Sequence, residues 1–181
     1  MGIIISSFPG CGKTYLENTN RGKVKILVAD SFAPSGGDIV KEYADFVMEH
    51  VDEYDIVFIS TAKDILEEFN QRGIDYDLFY PSKERRKEFL EGYVRKRYKS
   101  TDIMMLDRNF DKDIDFFDSI EADNCYKHKM EEQGHFIGND GAVMQYINNL
   151  QNSNTHEKSS EGMEESSRGE ANHEEDEKGN A

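Results

Sequence analysis

The segment that most constrains this chain is Ser7-Phe8-Pro9-Gly10-Cys11-Gly12-Lys13-Thr14. An apolar, β-branched run, Gly2 to Ser6, precedes it and reads as a buried strand. A helix is expected to follow from about Gly12 to Glu17. The general pattern G-x-x-x-x-G-K-[ST] carries meaning only between a strand and a helix, which is the context found here. Glycines let successive backbone N–H groups turn inward around phosphate oxygens, and a helix N-terminus adds its unpaired donors. The expected nucleotide contacts are therefore Pro9, Gly10, Cys11, Gly12, Lys13, Thr14 and Tyr15. Lys13 is expected to reach the β- and γ-phosphates, and Thr14 to offer its hydroxyl to Mg²⁺. Ser7 replaces the first glycine of the pattern, and Pro9-Gly10 supplies the tight turn instead. The competing reading is a glycine-rich turn before an ordinary helix.

Strand and helix signals alternate beyond the loop. Lys23 to Ala29, Asp55 to Ser60, Tyr76 to Tyr80 and Cys125 to Met130 read as further strands. Asp38 is placed to cap a helix carrying Ile39, Tyr43, Phe46, Val47 and Val51 at helical spacing. Gly73 stops another helix, which carries Ile65, Leu66 and Phe69. Ser82 opens a long charged helix. A further helical region from about Thr101 to Asp118 is expected to break near Asn109. Asp140 to Leu150 closes the pattern. This alternation predicts an α/β, three-layer sandwich around a mostly parallel sheet of about five strands.

Ligands of open α/β sheets collect at the carboxyl ends of strands. Asp30 stands at such an end, after Ile26-Leu27-Val28-Ala29. It is a candidate to hold Mg²⁺ through water or to accept a proton from a substrate hydroxyl; capping is the alternative. Ser60 and Thr61 also stand at a strand end, where capping explains them equally well. Ser82 to Lys99 concentrates eight cations: Lys83, Arg85, Arg86, Lys87, Arg95, Lys96, Arg97 and Lys99. Phosphoryl transfer needs such charges near the equatorial oxygens. Arg86 and Arg95 are the expected phosphate contacts, against the reading of a solvated helix face. Asn109 either caps a helix or contacts the nucleotide base. The histidines show no metal-ligand spacing.

Composition matters mainly at the C-terminal end. From Gln151 onward no apolar period remains, and nine acidic residues face three basic ones. Such a segment cannot bury enough surface to offset its ordering entropy, so a disordered acidic tail is expected over 151–181. Residues 1–150 then form the domain, with a lid-like segment at about 82–99, and keep a net charge of −9. That balance does not favour general nucleic-acid binding. No hydrophobic run approaches a membrane span. Cys11 and Cys125 make neither a disulfide framework nor a zinc pattern, which fits a reducing cytoplasm.

Phe8 to Leu16 (FPGCGKTYL), the Asp30-Ser31 strand end, Tyr54 to Thr61, Leu78 to Tyr93 and Asn109 to Phe117 together resemble the P-loop nucleoside and nucleotide kinases. More narrowly, they look like small kinase-like ATP-binding proteins of bacteriophages and gut bacteria. The likeness covers most of Met1 to Leu150 and none of the tail. It implies ATP and Mg²⁺ as cofactors, a nucleoside or nucleotide acceptor, and a lid closing basic residues between Lys83 and Arg97 over the phosphates. The chain departs from the family at Phe110, where tryptophan is frequent, and at Phe32, where a second aspartate is frequent. Three functions stay open: a small-molecule kinase using Lys13, Asp30, Arg86 and Arg95, an ATP or GTP hydrolase acting on a protein partner, and a non-catalytic nucleotide-binding module.

Overall fold

The computed structural model describes residues 2–29 and 32–152. Its elements are β1 (Ile3–Ser7), α1 (Lys13–Thr19), β2 (Ile26–Val28), α2 (Ile39–His50), β3 (Ile56–Ile59), α3 (Lys63–Arg72) and β4 (Tyr76–Pro81). A 3-10 turn at Lys83–Arg85 then leads into α4 (Arg86–Arg95), α5 (Ser100–Ser119) and β5 (Cys125–Met130). One compact unit ends at Met144 and a second begins at Gln145. Residues 141–152 are helical. The expected acidic tail lies outside the described residues from 153 onward.

All five strands join one parallel sheet in the order β2-β3-β1-β4-β5. The chain adds β2 and β3 on one side of β1, then crosses to add β4 and β5 on the other. That reversal opens a crevice at the carboxyl end of β1, and the glycine loop leaves the sheet there. The expected α/β class therefore holds, with every pairing parallel.

Residue choice explains the core. Ile4, Ile5 and all of Ile56 to Ile59 are buried, the continuous apolar run that a strand covered on both faces requires. On β4, Tyr76, Leu78 and Tyr80 alternate with Asp77 and Phe79, so the two sets face opposite ways. The first set meets α3 and α5, with Phe69 at 6.1 Å from Tyr76 and Phe117 at 5.4 Å from Tyr80. On the other face His128 of β5 stacks on Phe79 at 4.2 Å, and its Nε2 lies 2.6 Å from an Asp77 carboxylate oxygen.

Two caps follow the sequence reading. Asp38 accepts the Lys41 N–H at the start of α2, and Gly73 ends α3 at φ 65°. Three expectations need correction. The second strand covers only Ile26–Val28, because the Lys23 and Val24 amides donate back to the Asn20 carbonyl in the turn after α1. Ser82 opens no single long helix: a 3-10 turn comes first, and α4 stops at Arg95, two residues before Arg97 takes φ 58°. The helical region expected from Thr101 to Asp118 does not break at Asn109 but runs through it as α5. Phe110 is fully buried against Phe8 at 5.2 Å and Phe89 at 6.1 Å, and this packing carries α5 through the polar position.

Candidate nucleotide site

The loop is compact. Gly10 has φ 94° and Gly12 φ 102°, left-handed values that favour glycine. Gly12 is also the N-cap of α1, where no side chain caps the helix. A Cβ on Gly10 would sit 3.2 Å from the rings of both Phe89 and Tyr93, so backbone, not side chain, fills that space. The Cys11 N–H closes a turn on the Phe8 carbonyl at 3.1 Å.

Phe8 anchors this arrangement. Its ring is 1% exposed and meets Phe89, Phe110 and Phe117 edge-on at 5.9, 5.2 and 6.2 Å. The Phe8 N–H donates to the Phe79 carbonyl at 2.8 Å, tying the loop to β4. Cys11 is buried as well, with Sγ 3.9 Å from the same carbonyl oxygen. Burial pushes its thiol well above the ordinary range, against the smaller opposing pull of the Arg85 and Lys13 charges. Ser7 carries the only buried side-chain oxygen among the described residues that has no hydrogen-bond partner. The position where the general pattern has glycine thus holds an orphaned hydroxyl, while Gly10 and Gly12 carry the turn.

Three cavities share Gly10 and Lys96 in their walls. One, of about 300 Å³, runs along Pro9, Lys13, Thr14 and Tyr15 and is closed by Tyr93 and Tyr98. A second, of about 380 Å³, lies between Tyr15, Phe136, Gly138 and Asn139. The third, of about 220 Å³, is lined by Glu88, Phe89, Gly92 and Arg95 among others. Tyr93 and Tyr98 stack at 4.5 Å. Burial, then the neighbouring Tyr98, pushes the Tyr93 hydroxyl up to about 12, so it stays a neutral donor at neutral pH.

The segment after β5 walls the second cavity and is tied to the loop. The Ile137 N–H donates to the Cys11 carbonyl at 3.0 Å. Asn139 locks its own turn, accepting the Phe136 N–H at 2.7 Å and donating to the Gly134 carbonyl at 2.9 Å. Gly138 leaves room for the Tyr15 ring, which a Cβ there would meet at 2.7 Å.

The expected site residues separate. Pro9, Gly10, Gly12, Lys13, Thr14 and Tyr15 gather around the loop cavities. Cys11 belongs to the loop, but its thiol faces the core. Arg95 borders the third cavity. Arg86 does not line these cavities: its guanidinium is held by Asp107 at 2.9 Å and Asp111 at 3.2 Å on α5, and it lines an outer groove of α4 instead. Asn109 is half-buried within α5 and lines none of the three. Asp30 lies outside the described residues, as does Ser31. Ser60 does not cap α3, whose N-cap is Ala62 with no side-chain cap bond; its hydroxyl accepts the Ala62 N–H at 3.2 Å and closes the turn before the helix.

Sequence reasoning did not single out Lys96, Tyr93, Tyr98, Phe136 or Asn139. Lys96 was one cation among eight, and only the end of α4 distinguishes it. The Gly-Asn-Asp run at Gly138 to Asp140 was a visible turn signal, but it said nothing about proximity to residues 10–15.

A five-stranded parallel sheet with β1 central and a glycine loop at its carboxyl end defines an open α/β fold with its crevice at that loop. No family model and no curated protein matches the chain. Among solved structures, the crystal structure of shikimate kinase from Bacteroides thetaiotaomicron aligns with 84% of this chain and 96% of that one, at TM-score 0.46 and 13% identity. A likeness that distant says nothing about substrate.

Proposed function

We propose that this protein binds ATP with Mg²⁺ on the glycine loop and transfers the γ-phosphoryl group to a nucleoside or nucleotide. The observation that carries the reading is the loop itself: two left-handed glycines directly before Lys13 and Thr14, opening onto cavities that also bring in Lys96. Backbone amides curved this way favour anions. The triphosphate tail is assigned to the cavity along Lys13 and Thr14, with Lys96 and Arg95 supplying charge from the α4 side. The base is assigned to the cavity of about 380 Å³ between Tyr15, Phe136 and Asn139, where two aromatic rings are in the lining. The donor set fits a magnesium nucleotide, since Thr14 is exposed and offers a hard oxygen. Thr14, with Asp30, would hold the ion, which neutralises phosphate charge and orients the transferring group. Asp30 also remains the proposed acceptor of the substrate proton. The domain of residues 1–150 is proposed to carry this activity, with the acidic tail dispensable for it.

The test is ADP formation by purified protein with ATP and Mg²⁺ across a panel of nucleosides and nucleoside monophosphates. Turnover should depend on one class of acceptor and disappear in Lys13→Ala. Unchanged turnover in that variant would end the proposal. Acceptor-independent hydrolysis would instead favour the hydrolase reading.

A further inference from the structure

Arg85 is 4% exposed and takes no part in the phosphate chemistry assigned above. It stands at the junction of the 3-10 turn and α4, as the N-cap of that helix. Its fork makes two bonds to Glu88, Nε at 2.8 Å and Nη2 at 2.9 Å. Nη1 reaches across the chain to the carbonyls of His135, at 2.8 Å, and Met130, at 3.4 Å. The guanidinium also lies between two rings, 5.2 Å from Phe89 and 5.2 Å from Phe136. Glu88 closes the circuit by accepting the Gly134 N–H at 3.1 Å.

One buried cation therefore joins two walls of the site. On one side is the segment at 134–139, which carries Phe136 and Asn139 and is bonded to the glycine loop through Ile137. On the other is the root of α4, a rigid rod of about 15 Å whose far end presents Lys96 to the loop. A hydrophobic contact alone would let these walls slide. A planar fork with fixed donor directions does not.

We propose that Arg85 is a positioning residue that couples occupancy of the Phe136–Asn139 cavity by an aromatic base to the placement of α4, and with it Lys96, over the triphosphate. This rests on the nucleotide reading given above. Coupling of this kind is a free energy shared between two sites, commonly about 5- to 150-fold in affinity. An arginine that only stabilised the fold would weaken every ligand alike. An arginine that couples base to lid should affect base-bearing ligands selectively.

Hydrogen exchange on the full chain tests this, with adenosine as a base without phosphate and inorganic tripolyphosphate as phosphate without a base. In the wild type, adenosine should slow exchange at 134–139 and also at 86–95. In Arg85→Lys the first protection should persist and the second disappear. The ratio of ATP to tripolyphosphate affinity should fall about tenfold in that variant. If Arg85→Lys does not fold, Glu88→Gln, which keeps size and removes the charge partner, should give the same split. Protection confined to 134–139 in the wild type would overturn the coupling and leave the nucleotide reading standing. Equal weakening of ATP and tripolyphosphate in the variant would also overturn it. If neither adenosine nor ATP protects 134–139, the nucleotide reading falls and the coupling with it.

Discussion

The glycine loop and the cationic arm of α4 were both conspicuous in the sequence, yet the structure treats them very differently. The loop's chemistry is set by its own main chain: two left-handed glycines, a buried phenyl anchor and the lysine that follows. The arm's chemistry is set by what each cation meets elsewhere. Arg85 turns inward to Glu88 and two carbonyls. Arg86 is taken by Asp107 and Asp111, Lys83 by Asp115 and Lys87 by Glu91. Arg95 and Lys96 are the arm cations that line the loop cavities. A count of positive charge marks a region, but partners decide which member can meet a ligand.

Substitutions can break or sharpen this contrast. The largest effect is expected at Phe8→Ala, which empties a pocket ringed by three phenyl groups. Denaturant unfolding should show a loss of about 3–5 kcal/mol; a loss near zero would mean the loop is not anchored as described. Gly10→Ala forces a side chain into a left-handed position at a cost of about 1–2 kcal/mol and into contact with Phe89 and Tyr93. Its triphosphate affinity, read by calorimetry, should fall by roughly tenfold or more.

Within the arm, Lys96→Ala should reduce triphosphate affinity about fivefold to tenfold with an unchanged melting temperature, since Lys96 is exposed. Arg86→Ala should do the reverse, lowering stability by about 1 kcal/mol or less and leaving affinity alone. If both variants behave alike, the sorting by partners is wrong.

A smaller effect concerns pH. The Arg85 guanidinium, helped by the Gly134 N–H, holds the Glu88 carboxyl below its ordinary value of 4.5. A carboxyl depressed in the fold lends stability above its ordinary titration range, and that contribution fades as pH falls through the lowered value. The melting-temperature gap between wild type and Glu88→Gln should therefore be full near neutral pH and shrink below about 4.5. The smallest change is expected from Ser7→Ala. It removes an orphaned hydroxyl, so it should be neutral or stabilising by up to about 1 kcal/mol.

The contrast also explains how far the sequence could be read. Strand and loop positions were legible because apolar runs and glycines act locally, and Cys125–Met130 falls where the pattern placed it. The unbroken α5 was not legible, because Phe110 owes its burial to Phe8, which is a hundred positions away. The fate of Arg86 was half legible: Asp107 and Asp111 stand four residues apart on one helix face, but nothing local says that α4 lies against them. The Phe136–Asn139 wall was invisible for the same reason, since a main-chain bond to Cys11 and the Arg85–Glu88 pair, all distant in sequence, bring it there.

The sealed thiol of Cys11 makes the loop its own reporter. Cys11 is 1% exposed, so an alkylating reagent can reach that sulfur only when the loop opens, and labelling at residue 11 counts those openings rather than the reactivity of a cysteine. Any ligand that settles into the turn should lengthen the interval between those openings, giving a clock for occupancy that needs no knowledge of the acceptor.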